Sequence, residues 1–172
     1  VYTRVGDKDN YDKIYQTDKL GWVGQLGYTK ESIYGANIFT AESDETLKAS
    51  GFYATGKDSE YQRYVVKNFK DETSLTNMVQ VASGKLSSAG YYTIPFEREI
   101  AVDKGEQYAI VLFIRTPGAV HPLAIEYAAD RATKNVILDD GEGYISASGF
   151  DWENVTNIEE CNLCIKAFSK NR

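Results

Sequence analysis

At 172 residues and 42% apolar composition, the chain is sized for one domain that buries roughly 70% of its unfolded surface without staples. Its formal net charge of -6 and sequence pI near 4.9 leave no basic surface to neutralise phosphates, which argues against nucleic acid and anionic membranes as partners. No apolar window approaches the ~18 residues of a membrane-spanning helix, and the start at Val1 without a leader reads as that of a mature product or an excised domain.

Residues 1–30 are the least regular part. A strand over 1–5 is followed by a turn cluster, Gly6-Asp7-Lys8-Asp9-Asn10, and Gly21, Gly24 and Gly27 are too frequent for a strand interior. The stretch reads as an extended arm packed across something larger, either this domain or a neighbour, with residues 31–172 as the domain proper.

From Ser32 onwards the period is two, the signature of side chains alternating between the faces of a sheet. Strands are predicted over 33–41 and 46–55, joined by Glu42-Ser43-Asp44-Glu45. Further strands are predicted over 61–69, 77–82, 91–96 and 99–102, with a helical turn at Thr73-Ser74-Leu75 and a Gly/Ser-rich turn over 83–90. Pro95 restricts its strand to an edge or a strand end. Residues 107–114 are the most apolar run and read as a central strand. Segments 122–128, 134–138, 143–148 and 162–169 complete the set. Turn signals about every ten residues, with no amphipathic helix, give an all-β sandwich or barrel. The 13 tyrosines, 7 phenylalanines and 2 tryptophans agree with half-buried pleated surfaces.

Catalytic chemistry is poorly supplied. The single histidine, His121, precedes Pro122 in a loop, and no local signature pairs it with Cys161 or Cys164. The two cysteines lie three apart in a predicted strand, so they face opposite ways, and they read as inert, space-filling thiols. There is no phosphate-binding glycine loop.

Binding chemistry is better supplied. Glu42, Asp44 and Glu45 put three carboxylates in one turn, and Asp139-Asp140-Gly141-Glu142-Gly143 makes a second acidic turn. Clustered carboxylates supply the oxygens that calcium takes, although acidic turns are more often simply solvated. Tyr91, Tyr92, Tyr144 and Trp152 lie at strand ends or turns after glycine, where an aromatic face with polar neighbours suits a sugar ring. Trp152 equally suits a plug at one end of the sandwich.

Several motifs, in order, carry a resemblance. They are Asn10-Tyr11-Asp12-Lys13-Ile14-Tyr15-Gln16 with Asp18 and Leu20-Gly21, then Gly35-Ala36-Asn37-Ile38-Phe39-Thr40-Ala41 and Ala49-Ser50-Gly51-Phe52-Tyr53. Gly90-Tyr91-Tyr92-Thr93-Ile94-Pro95, Gly143-Tyr144-Ile145-Ser146, Trp152 and Ile165-Lys166-Ala167-Phe168 follow. Together they resemble the lectin-like domain of clostridial cell-wall, surface-layer-processing papain-like cysteine proteases. The resemblance implies a jelly-roll β-sandwich of two antiparallel sheets, a structural calcium, a carbohydrate role, and a papain-like protease domain in the same chain. It implies a secreted protein of the cell wall or cell surface whose accessory domain is not itself catalytic. That domain would position the protease on cell-wall glycan or surface-layer protein, or alternatively pack on the protease and modulate access to its cleft.

Overall fold

The structure, a computed structural model, describes residues 11–16, 22–126, 142–155 and 161–172. Among these residues the chain is an antiparallel β-sandwich with one 3-10 turn. Strands β1 (Lys13–Tyr15), β2 (Gly24–Leu26), β3 (Ser32–Thr40), β4 (Glu45–Ala54), β5 (Ser59–Val66) and β6 (Val79–Leu86) come first. They are followed by β7 (Gly90–Val102), β8 (Gln107–Arg115), β9 (Leu123–Glu126), β10 (Glu142–Ser146), β11 (Glu153–Asn154), β12 (Asn162–Leu163) and β13 (Lys166–Asn171). One sheet runs β1-β13-β4-β7, the facing sheet runs β11-β10-β3-β8-β5-β6, and a small third sheet runs β12-β9-β2.

Alternation sorts each strand between two clusters. On β3, Ile33 and Phe39 enter the main core, while Ala36 and Ile38 enter a second cluster on the outer face. On β8, Tyr108, Ile110, Leu112 and Ile114 face the main core, and Ala109 and Val111 face outwards. That strand is central, as expected. Its outer face is buried because Phe69 and the 3-10 turn Glu72–Thr76, through Leu75, fold over it. The turn is capped by Asp71, whose carboxylate accepts from Thr73 N at 3.0 Å.

Several predicted boundaries shift for physical reasons. Strands over 91–96 and 99–102 are one 13-residue strand, β7. Its partner β4 pairs Ala49 with Pro95 and Leu47 with Ile100, so residues 96–99 bulge off the ladder without ending it. Pro95 sits on the sheet edge, where its missing N–H costs nothing. The Gly/Ser stretch expected as a turn largely belongs to β6, and Gly84 lies under the Tyr61 ring, where a Cβ would come within 2.6 Å of Tyr61 Oη. The predicted strand over 162–169 splits in two. Asn37 Nδ2 donates to Leu163 O at 3.0 Å and Ile165 O at 2.9 Å, holding the chain as it leaves one sheet for another. Cys161 and Cys164 are buried there and form no disulfide. Of the expected arm, β1 pairs with β13 and β2 with β9. The predicted strands over 1–5 and 134–138 lie outside the described residues.

Candidate binding surface

The strand order β10-β3-β8-β5 sets outward side chains in cross-strand rows. Ser146, Tyr34, Phe113 and Gln62 form one row, and Tyr144, Ala36, Val111 and Tyr64 form the next. The Tyr34 and Phe113 rings lie 4.8 Å apart at 50°. Trp152 meets Tyr34 edge-on at 6.1 Å, with its Nε1 donating to Gly149 O at 3.2 Å. The Tyr64 hydroxyl donates to the Gln62 side-chain oxygen. Tyr34, Phe113, Tyr64, Gln62 and Trp152 are all half-buried, and Phe150 at the rim is 77% exposed. Burial holds the Tyr64 phenol above its ordinary pKa, and the nearby Tyr34 phenol adds to the effect.

The loop from β10 to β11 builds the rim. Ser146 Oγ accepts from Ser148 N at 3.2 Å and Gly149 N at 2.9 Å, folding the loop back on its own strand. Gly149 takes φ +83, and a Cβ there would stand 3.1 Å from the Tyr34 ring. Only glycine meets both demands. The next row down is charged: Arg115 pairs with Glu31 at 3.0 Å and approaches Glu60 at 3.9 Å. The surface therefore offers ring faces, phenols and an amide side by side, bordered by ion pairs. That chemistry fits a sugar, whose C–H face stacks on rings while its hydroxyls take hydrogen bonds.

The four aromatics predicted from sequence do not converge. Trp152 belongs to this surface. Tyr144 lies on the same face but is only 8% exposed, packed 5.8 Å from the Phe69 ring. Tyr91 is on the outer face of the other sheet, with its hydroxyl over Gly51 and its ring 5.2 Å from Tyr53. Tyr92 turns the opposite way, against Phe52 at 6.4 Å, and its hydroxyl donates to Ser88 O at 2.7 Å. Nothing local in the sequence marks Tyr34, Tyr64 and Phe113, because they sit mid-strand. Their signal was the outward phase of the alternation, readable only once the strand order is known.

The acidic turn resolves into individual partners. Glu45 is fully buried, and its carboxylate accepts from Tyr15 Oη at 2.6 and 2.9 Å and from Ser169 Oγ at 2.8 Å. Lys13 Nζ stands 3.5 Å from Glu45, 3.7 Å from Glu42 and 2.7 Å from Ser43 Oγ. Asp44 accepts from Lys104 N at 2.9 Å. A calcium ion needs six to eight oxygens. Here the one buried carboxylate is spent on two hydroxyls, and an ammonium already stands among the acidic side chains. Glu42, Asp44 and Glu45 as arranged do not fit a calcium site. No group of three or more ligating His, Cys, Asp or Glu side chains occurs among the described residues. The core of the second acidic turn, 139–141, lies outside them.

His121 is half-buried in its loop, with Nδ1 2.9 Å from Val120 O.

Comparison with known proteins agrees with this architecture. The lectin-like domain family matches residues 14–169. The clostridial cysteine protease Cwp84 after propeptide cleavage is 25% identical at a TM-score of 0.75, over 93% of this chain and 40% of that one. A second structure is of the cysteine protease and lectin-like domains of Cwp84, a surface layer associated protein of Clostridium difficile. It is 23% identical at a TM-score of 0.70, over 93% of this chain and 36% of that one. The chain thus spans less than half the length of these solved proteins. No curated protein sequence matches it.

Proposed function

The chain belongs to the lectin-like domain family, and from that premise we propose that it is the accessory module of a secreted surface cysteine protease, holding the enzyme on cell-wall glycan. The matched family is the lectin-like module and not the protease domain, so bond cleavage belongs to the parent enzyme. The observation that carries the binding reading is the row Tyr34, Phe113 and Gln62 with Tyr64 and Trp152 beside it, half-buried aromatics with an amide on an outer sheet face. A fully packed sheet face would be covered, and a merely solvated one would carry charges rather than rings.

A glycan array followed by titration calorimetry with wall polysaccharide tests this. Binding that is lost in Phe113→Ala, with an unchanged Tm, supports it. No binding at millimolar saccharide refutes it.

The second reading is a module that docks on the protease and controls entry to its cleft. It is favoured by Ile14, 57% exposed on β1, opposite Phe168 on β13. On that reading Ile14→Asp changes protease activity in the full-length enzyme while glycan binding stays unaltered.

A further inference from the structure

Arg63 lies at an inward position of β5, between Tyr61 and Val65, and is 0% exposed. Its sheet neighbours are Ala82 on β6 and Leu112 on β8, both apolar. The guanidinium carbon stands 5.0 Å from the centre of the Phe52 ring on the opposite sheet. Nε, Nη1 and Nη2 all lack a hydrogen-bond partner among the described residues. A guanidinium carries five N–H donors, and a ring satisfies only its face. Burial pulls its pKa down to about 9, so it keeps its charge at neutral pH. An unpaired buried charge is among the costliest features a fold can hold.

The surrounding strands are loosened here. Arg63 pairs with Ala82 and Tyr64 with Gln80, leaving Val81 as an extra residue on β6. On the facing sheet, residues 96–99 leave the β4 ladder. Both β6 and β7 are edge strands. Tyr92, Ile94 and Phe96 pack on the main core yet are only part-buried, so solvent reaches the edge of the core along this seam. Bulges of this kind re-aim side chains and cluster beside functional sites.

We propose that Arg63 is the floor of an internal anion site, reached along the seam between β6 and β7, that takes one small monovalent anion. One cation beside the neutral Tyr61 phenol and otherwise apolar neighbours balances one negative charge, whereas a doubly charged oxyanion would bring an uncompensated charge into the core. A halide and a carboxylate share the required chemistry: compact, singly charged and acceptor-only. The carboxylate is either free, as in formate, or borne on a larger ligand such as a uronic acid.

The test is thermal unfolding of the wild-type protein in chloride-free buffer, with methanesulfonate holding ionic strength constant, titrated separately with chloride, formate and glucuronate. A ligand that binds only the folded state raises Tm, growing with the logarithm of its concentration above Kd and reaching about 5–10 °C at a hundredfold excess. A logarithmic rise with chloride or formate identifies a free ion. A rise with glucuronate alone identifies the carboxylate of a larger ligand. Arg63→Met should abolish the response. A flat wild-type response to all three anions, or an equal rise in wild type and Arg63→Met, overturns the site. If Arg63→Met does not fold, wild-type crystals soaked with whichever anion raised Tm, bromide standing in for chloride, decide: density for that anion at the guanidinium supports the site, and none there overturns it.

Discussion

Replacing Glu45 by alanine probes the joint between the N-terminal segment and the sandwich. The carboxylate is fully buried, and it alone accepts from Tyr15 on β1 and Ser169 on β13 while standing 3.5 Å from Lys13, also on β1. Alanine strands the Ser169 hydroxyl, while the Lys13 ammonium keeps Ser43 Oγ at 2.7 Å and Glu42 at 3.7 Å. Tyr15 Oη keeps only its role as acceptor from Glu42 N, at 3.0 Å. Two buried hydroxyls, on Tyr15 and Ser169, lose their acceptor at about 1–3 kcal/mol each, so a loss of about 3–5 kcal/mol is expected. At ~2–4 °C per kcal/mol for a domain of this size, Tm should fall by about 10 °C or more. Glu45→Gln keeps an acceptor oxygen and loses only the charge, so about 1–2 kcal/mol is expected. Denaturant melts of both variants, with hydrogen exchange at residues 13–15, report the global and local losses. Tyr15→Phe combined with Glu45→Ala should be less than additive, since one hydrogen bond is counted twice. A Glu45→Ala loss below about 1 kcal/mol, against the 3–5 expected for the two hydroxyls, would refute the reasoning.

Tyr108 is 0% exposed and its hydroxyl has no hydrogen-bond partner among the described residues, so Tyr108→Phe should raise stability by about 1 kcal/mol, measured by denaturant melts. Burial raises the phenol pKa of Tyr15, Tyr28 and Tyr108, with the Glu45 and Glu153 carboxylates adding to it for Tyr15 and Tyr28. These phenols stay protonated in the folded chain where the unfolded chain ionises, so their stabilisation is complete below pH ~10 and is lost as pH rises beyond it. Absorbance at the tyrosinate band should therefore show a set of phenols ionising only together with unfolding. Glu42 is 71% exposed and within 3.7 Å of Lys13, so any calcium-dependent rise in Tm should be the same in Glu42→Ala and in wild type. A rise abolished in the variant would put the metal at this turn after all.

Most of the fold was legible because each main strand announces itself locally. The run at 107–115 is apolar on both phases, and only a central, doubly covered strand has that need. What failed locally was decided by pairing. Gly84 reads as a turn, yet it serves as the clearance that lets Tyr61 lie across two strands. Residues 96–99 read as a break in β7, yet the strand passes through them as a bulge. Glu42, Asp44 and Glu45 read as three equivalent carboxylates. Only the return of β13 and the docking of β1 bring Ser169, Tyr15 and Lys13 to them, and those residues lie 124, 30 and 32 positions away from Glu45.

The binding surface shows the same limit more sharply. Aromatics beside glycine draw attention because a turn advertises exposure, but a strand exposes half its side chains too. Tyr34, Phe113 and Gln62 are about 80 and 50 residues apart in sequence, and no local rule joins them. Their row exists because β8 pairs with β3 on one side and β5 on the other. Had β5 paired with β8 one residue out of register, Gln62 and Tyr64 would face the core and Arg63 would lose its place beneath Phe52. The outward ring surface and the inward buried cation are therefore two consequences of one register, set on alternate residues of the same strands. A substitution that shifts that register should damage both together, whereas side-chain truncation at Phe113 or Arg63 should separate them.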